Sequence, residues 1–355
     1  MARRVFLHIG TMKSATTWLQ GMAFANSDRL AQQGVFWPVA DQRALADFLG
    51  RDEARTGHEG AWPELVGAIQ RHPGDAVWSN ELLAPLGAGK IKRLVAAMQP
   101  AHVEVVVTAR DLGRVIPSHW QTTLQNGSTT KWSDFAAAVC TEPAQLTRVP
   151  RSEDVGSWFW RRHDIPTVLA RWQPFVPAKQ MTVVTVPPVG SDPQIVVDRF
   201  AMVVGINASG LEQPPHGNSS VGAYSAELLR RLNEVVPDLE RHHYRFGVKK
   251  VLTRTALMGR AAQEPRFTLT EEHRRWVDER AGRMIDEIQA SGVRVVGDLE
   301  DLRPAPQVSP HGVDPSSASE ADLLEAALQG IGEMAKFVGD QQLELERHSL
   351  GGTST

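Results

Sequence analysis

The first twenty residues constrain this chain more than any other stretch. Val5–Ile9 is a run of mostly apolar, β-prone residues, the pattern of a short buried strand. It opens into Gly10-Thr11-Met12-Lys13-Ser14-Ala15-Thr16-Thr17, small and hydroxylated apart from Met12 and carrying one lysine. Trp18-Leu19-Gln20-Gly21-Met22 then begins a helical pattern. A strand, a small-residue loop and a helix start together suit phosphate, because backbone N–H groups and the positive end of the helix dipole meet the anion. Lys13 adds a full charge, and Ser14, Thr16 and Thr17 add hydroxyl donors. Taken alone, the same segment also fits a plain tight turn between strand and helix.

The loop is not the common triphosphate-binding motif, which reads G-x-x-x-x-G-K-[ST]. Counted from Gly10, that motif needs glycine at Ala15 and lysine at Thr16, and neither is present. The lysine sits earlier, in Lys13-Ser14-Ala15-Thr16-Thr17-Trp18. A second segment, His102–Ala109, is a strong strand candidate through its β-branched Val103, Val105, Val106 and Val107. It runs into Arg110, and Ser118 follows eight positions later. Alone, an arginine after a strand reads as a solvated strand end.

Together these segments resemble the sulfotransferases that use 3′-phosphoadenosine 5′-phosphosulfate. The phosphosulfate loop of that family reads P-K-S-G-T-T-W. Here Met12 replaces proline and Ala15 replaces glycine, while Lys13, Ser14, Thr16, Thr17 and Trp18 match. The resemblance implies that Lys13, Ser14, Ala15, Thr16, Thr17 and Trp18 bind the 5′ side of the donor, with Trp18 touching the adenine ring or simply packing in the core. It implies that Arg110 and Ser118 hold the 3′-phosphate, a group that ATP lacks. A guanidinium fork suits that phosphate, and the serine adds a hydroxyl donor. A late R-K-G-x-x-G motif of the cytosolic members has no match; Gly217-Asn218-Ser219-Ser220 reads better as a helix cap than as its substitute.

Sulfuryl transfer to a hydroxyl needs a base for the acceptor proton. Cytosolic members use a histidine, and several carbohydrate and bacterial members use a glutamate near the end of an early strand. Glu81, in Val77-Trp78-Ser79-Asn80-Glu81, is placed like the latter. Its plain alternative is a charge at a helix start capped by Ser79 or Asn80. His119, beside Ser118, is the rival base, and His8 reads as a strand residue. The expected catalytic set is therefore Lys13 and Glu81 or His119, with no metal. On the acceptor side, Trp120, Trp158, Phe159 and Trp160 could form an aromatic wall or belong to the core. Arg161, Arg162 and His163 could meet an anionic acceptor or water.

The fold expectation is α/β. Strand candidates at Val5–Ile9, Ala76–Ser79, Val103–Ala109 and Met181–Val186 alternate with helical patterns at Thr16–Gln33, Trp62–Arg71, Lys90–Met98 and Pro166–Phe175. That alternation predicts a central parallel sheet flanked by helices, with ligands at the carboxyl ends of the strands. The resemblance makes it a P-loop-like sulfotransferase fold. After Pro187-Pro188 the patterns turn helical, at Ala223–Val236 and Thr270–Ser291, with a weak strand at Arg294–Val296. Residues 1–303 form the expected sulfotransferase domain, 304–319 a Pro/Ser-rich linker, 320–348 a C-terminal helix and 349–355 a disordered tail. Leu324, Leu328, Ile331, Ala335, Val338 and Leu345 lie on one seam of that helix, which suits pairing with a second copy or folding back on its own domain.

With 355 residues the chain can bury a full core in one large domain or two. A net charge of −3 gives no reason to expect nucleic acid or an anionic membrane, so positive charge at a phosphate site must be local. The single cysteine, Cys140, follows an apolar helical face and excludes an intrachain disulfide. No signal-peptide pattern and no long apolar run is read, so the chain is expected in the cytoplasm. Abundant alanine, and arginine in excess of lysine, suit a bacterial source. The expected function is transfer of a sulfuryl group from 3′-phosphoadenosine 5′-phosphosulfate to a small-molecule or glycan hydroxyl. A non-catalytic nucleotide-binding protein and an ATP-dependent small-molecule kinase are the alternatives.

Overall fold

The computed structural model describes residues 2–38, 42–50, 59–141, 154–214, 220–305 and 312–351. Its strands are β1 (Arg4–His8), β2 (Val35–Phe36), β3 (Asp75–Ser79), β4 (His102–Ala109), β5 (Met181–Thr185) and β6 (Arg294–Val296). The helices begin with α1 (Thr16–Ala25), α2 (Ser27–Gln32), α3 (Gln42–Leu49), α4 (Ala61–Arg71) and α5 (Ala88–Ala97). They continue with α6 (Leu112–Leu124), α7 (Trp132–Val139), α8 (Val155–His163), α9 (Ile165–Trp172) and α10 (Gln194–Val204). The last are α11 (Ala223–Val235), α12 (Arg241–His243, running into a π-helical Tyr244–Leu257), α13 (Glu271–Ala290) and α14 (Glu320–Gly351). These elements fall into two compact units.

The first unit takes the described residues of Met1–Val115, Val139–Gly217 and Arg274–Pro306. Its six strands form one sheet in the order β2-β3-β1-β4-β5-β6, and every neighbouring pair is parallel. The fold class is α/β, as the alternation of strand and helix patterns predicts. Parallel sheets are covered on both faces, so their strands read as near-continuous apolar runs. Phe6, Val77, Val106 and Val184 share one face with Leu19 and Met22 of α1, Leu30 of α2, and Val197 and Phe200 of α10. On the other face Leu7 stands in register with Trp78 and Val105, all fully buried, and Trp62 of α4 lies 5.3 Å from the Trp78 ring.

Strand register fixes where the site lies. His8 is level with Ser79 of β3, and β1 runs between β3 and β4. The segments that leave β1, β3 and β4 at their carboxyl ends are therefore neighbours, the place where open α/β sheets bind ligands. Two differences from expectation have local causes. The helix expected over Thr16–Gln33 is interrupted at Asn26, whose side-chain amide donates to the Met22 and Glu212 carbonyls at 2.8 Å and accepts from the Glu212 N–H. Strand β2 is only two residues long, too short for a periodic signal.

The second unit takes the described residues of Ile116–Ala138, Asn218–His273 and Gln307–Thr355. Trp120, Trp132 and Phe267 form its aromatic centre, with ring centroids 5.0 to 5.4 Å apart. Helix α14 belongs to this unit, together with the described residues of 312–319. Arg260 donates to Gln329 at 3.0 Å, Arg231 donates to Glu320 at 2.8 Å, and Leu323 and Ala326 are buried. A Cβ on Gly330 would stand 2.5 Å from Leu252, so glycine permits the close approach of the helices there. The seam read from the sequence is the other side of α14: Leu324, Leu328, Ile331, Val338 and Leu345 are exposed. Of the expected linker and tail, residues 306–311 and 352–355 lie outside the described residues. Among the described residues no helix is long and apolar enough to cross a membrane.

Candidate active site

The loop between β1 and α1 holds an unusual backbone. Gly10, Lys13 and Ala15 have φ of 47°, 67° and 66°. Lys13 and Ala15 are the only non-glycine residues with positive φ among the described residues. Left-handed residues alternating with ordinary ones turn successive N–H groups toward one side, which makes an anion-binding concavity. A non-glycine residue in this region costs about 1–2 kcal/mol, so the loop is held there by its surroundings. Ala15 is also the N-cap of α1, and no side chain caps that helix. Its first N–H groups therefore keep their capacity for an anion.

A buried chain of hydrogen bonds holds the loop. Ser14 donates its hydroxyl proton to the Thr11 carbonyl. The Ser14 hydroxyl must then accept from Thr108, 2.9 Å away. Thr108 has spent its own proton, so its oxygen accepts from His8 Nε2 at 3.0 Å. His8 is then the neutral tautomer protonated at Nε2, and its Nδ1 accepts from Ser79 at 2.8 Å. Gln20 of α1 closes the chain, donating to the Ser79 hydroxyl at 3.1 Å and the Ser79 carbonyl at 3.0 Å. Burial pushes the His8 imidazole from its ordinary 6.5 down to about 3, in accord with the neutral form. His8, a strand residue as its sequence context suggests, is also the junction of β1, β3, β4 and α1.

This arrangement separates the loop's hydroxyls. Ser14 and Thr16 are buried, and both turn inward to the Thr11 carbonyl, Thr16 at 3.4 Å. Thr17 is exposed, and Lys13 is half-buried. Trp18 is half-buried against the Phe6 face of the sheet. Its indole Nε1 is buried without a partner among the described residues.

Arg110 follows β4 and donates from Nη1 to the Lys13 carbonyl at 3.2 Å, which ties it to the loop. Its Nε is buried without a partner among the described residues. Burial, reinforced by the like charge of Arg114 and opposed by Asp111, pushes its pKa down to about 10. Arg110 is still a cation at neutral pH. Asp111 does not neutralise it closely, because that carboxylate pairs with the side chain of Arg114.

Glu81 opens the short 3₁₀ turn Glu81–Leu83 after β3. Asn80 caps that turn, its Oδ1 accepting from the Leu82 N–H at 3.1 Å, and its own N–H donates to the His8 carbonyl at 2.9 Å. Asn80 is thus the cap that the plain alternative foresaw. A Cβ on Gly10 would stand 3.6 Å from the Glu81 Cβ, so the glutamate borders the loop. Glu81 is half-buried, and no described residue bonds or pairs with its carboxylate. The first unit thus gathers Lys13, Glu81 and Arg110 around one loop.

Ser118 and His119 lie on the part of α6 that belongs to the second unit, so the first unit does not itself assemble them. His119 is buried there, its ring 6.2 Å from that of Phe135. Of the aromatic-wall candidates, Trp120, Phe159 and Trp160 are core, and Trp158 is half-buried beneath Arg162. Arg161 and His163, expected in a loop, are buried on α8, and Arg162 on the same helix is half-buried. Burial pushes the half-buried Cys140 thiol up to about 12. Of the candidate phosphate donors at residues 217–220, the first three lie outside the described residues.

No family model matches the sequence, and no curated protein matches it. Two solved structures align with the chain. One is a sulfotransferase from Alicyclobacillus acidocaldarius, 14% identical with a TM-score of 0.42, the match covering 69% of this chain and 100% of that one. The other is a sulfotransferase domain from the curacin biosynthetic pathway, 11% identical with a TM-score of 0.35, covering 64% of this chain and 82% of that one. The chemistry of the site rests on its own residues.

Two outcomes test this geometry. In Gly10→Ala, a Cβ 2.7 Å from Thr16 Oγ1 at φ 47° should cost about 1–3 kcal/mol in chemical denaturation. A neutral effect would contradict the packed loop. The second test uses the depressed His8. The unfolded chain takes up a proton near pH 6.5, the folded chain only near pH 3. His8's share of stability is therefore full above pH 6.5 and declines as pH falls toward 3. Between pH 7 and pH 5 the native protein should lose about 2 kcal/mol more than His8→Gln. Equal losses would contradict the buried neutral imidazole.

Proposed function

We propose that the protein transfers a sulfuryl group from 3′-phosphoadenosine 5′-phosphosulfate to a hydroxyl of a small-molecule or glycan acceptor. The observation that carries this reading is Arg110, a largely desolvated cation with an unpartnered Nε, bound to a left-handed loop that leads into an uncapped helix. Two phosphate-sized demands meet here. The loop N–H groups and Lys13 suit the 5′-phosphosulfate, and Arg110 suits a second phosphate on the same nucleotide. The family resemblance implies that Ser118 also serves the 3′-phosphate.

In this reading the acceptor oxygen bonds to sulfur as the bond from sulfur to the bridging oxygen breaks, and that electron pair stays on the departing 5′-phosphate. Glu81 takes the acceptor proton. Its carboxylate has no partner among the described residues and borders the loop, so it can accept a proton without first breaking an ion pair. Lys13 and the loop N–H groups offset the charge that grows on the leaving phosphate, the largest kind of catalytic contribution. His119 is the rival base and enters through its sequence position alone. Ser14 serves by holding the Thr11 carbonyl and shaping the loop, and its backbone remains the part that meets the anion.

Calorimetry with adenosine 3′,5′-bisphosphate and AMP tests the assignment. The bisphosphate should bind far more tightly than AMP, and Arg110→Ala should weaken it by roughly 2–4 kcal/mol. Equal affinities for the two nucleotides in the native protein would overturn the reading.

A further inference from the structure

The second unit carries a row of positive charge that the chemistry above does not use. Tyr244–Leu257 winds as a π-helix 14 residues long. Such helices are mostly single turns, and they often mark functional positions. The winding shows in the side chains as well. Thr253 donates to the Val248 carbonyl at 2.9 Å and Thr255 to the Lys250 carbonyl at 3.4 Å, each five residues back. Residues five apart then share a face, Arg245 with Lys250 and Lys249 with Arg254. At about 100° per residue, an α-helix would instead set Arg254 on the side opposite Arg245. Val248, Val251, Leu252, Ala256 and Leu257 are buried, whereas Arg245, Lys250 and Arg254 are exposed and Lys249 is half-buried.

The row has no counter-charge. Among the described residues no carboxylate pairs with Arg245, Lys249, Lys250 or Arg254. Lys249 donates to the Asn126 side chain at 3.0 Å, and Lys250 lies 5.6 Å over the Phe246 ring. Burial lowers the Lys249 pKa, and the charges of Arg254 and Arg245 lower it further, so these three cations feel one another. The whole chain carries a net charge of −3, so the concentration of positive charge is local. Like charges aligned on one helix face destabilise it unless an anion meets them.

We infer that this row binds a single acidic glycan chain, whose sulfate or carboxylate groups meet Arg245, Lys249, Lys250 and Arg254 in charge-assisted hydrogen bonds. The surroundings favour this partner over broader or base-bearing polyanions. Asp238 and Glu240 are exposed just ahead of the helix, and Asp340 is exposed on α14. An anionic membrane, which must cover much of the unit, meets these acids as well. Single-stranded nucleic acid needs rings on which its bases stack. Phe246 already carries Lys250 and lies 4.9 Å from the His242 ring. Tyr244 is held by its hydroxyl, which bonds to the Leu124 carbonyl and to Asn233. A slender acidic chain needs only the row of charges. The inference concerns the second unit alone and does not draw on the sulfuryl-transfer reading.

Fluorescence anisotropy of a fluorescein-labelled heparin oligosaccharide with the full chain, and no nucleotide present, tests this. Binding should saturate, and it should weaken as added salt screens the charges. Arg245→Gln and Arg254→Gln should each weaken it about fivefold, the size of one exposed ion pair. Both side chains are exposed and unpaired among the described residues, so Tm should be unchanged in each variant. Lys92→Gln removes the same charge from an exposed position on α5 of the first unit and should leave binding unchanged. No saturable binding, or the same loss in Lys92→Gln, would overturn the proposal. So would equally tight, Arg254-dependent binding of single-stranded oligothymidylate or of phosphatidylserine vesicles, which would assign the row to that partner instead.

Discussion

The site depends on one hydrogen-bond relay beneath the β1–α1 loop. Gln20, Ser79, His8, Thr108, Ser14 and the Thr11 carbonyl are linked in sequence, and each proton has one direction that satisfies all of them. The relay joins the first helix to the carboxyl ends of three strands. A buried polar chain of this kind stabilises only when every member is satisfied. Protonating His8 would reverse its Nδ1 from acceptor to donor and force Ser79 to turn away. That requirement explains why a histidine in the middle of an apolar face stays neutral, and it makes the loop shape a consequence of the sheet register.

Once the loop is fixed, the electrostatics follow. Lys13 and Ala15 take left-handed backbone, which costs energy in the free protein. Arg110 is drawn from water onto the Lys13 carbonyl, with its Nε unpartnered. Asp111 and Asn80 are engaged in shaping their own segments. Glu81 is a carboxylate beside the loop that no described residue engages. A buried guanidinium with an unpartnered Nε on one side and, among the described residues, an unpaired carboxylate on the other are the arrangement expected when an anionic donor and a protic acceptor must meet. It is also an arrangement that stability alone would not select.

Much of this was legible in the sequence where the information is local. The apolar runs at Val5–Ile9, Val103–Ala109 and Met181–Val186 became central strands because continuous β-branched and apolar residues suit a sheet buried on both faces. The loop and Arg110 stood out by composition and position. His8, Thr108 and Gln20 did not, because their role exists only once β1, β3 and β4 are in register. A histidine at the last position of a buried strand, level with hydroxyl residues in both neighbours, is the signal, and it needs the strand pairing to be read. The docked side of α14 was hidden in a similar way. Periodicity finds an apolar stripe, but Leu323, Ala326 and the small Gly330 make the docked side.

The central claim is that the Lys13 loop and Glu81 serve sulfuryl transfer. It is tested most directly by incubating the full chain with 3′-phosphoadenosine 5′-phosphosulfate labelled in the sulfuryl group and a panel of neutral and anionic hydroxylated acceptors. The account predicts label in at least one acceptor, with the rate in Glu81→Gln lower by about 10²–10⁴ while affinity for the bisphosphate product is retained. Label transfer at an undiminished rate in Glu81→Gln, or tight bisphosphate binding with no transfer to any acceptor, would contradict it.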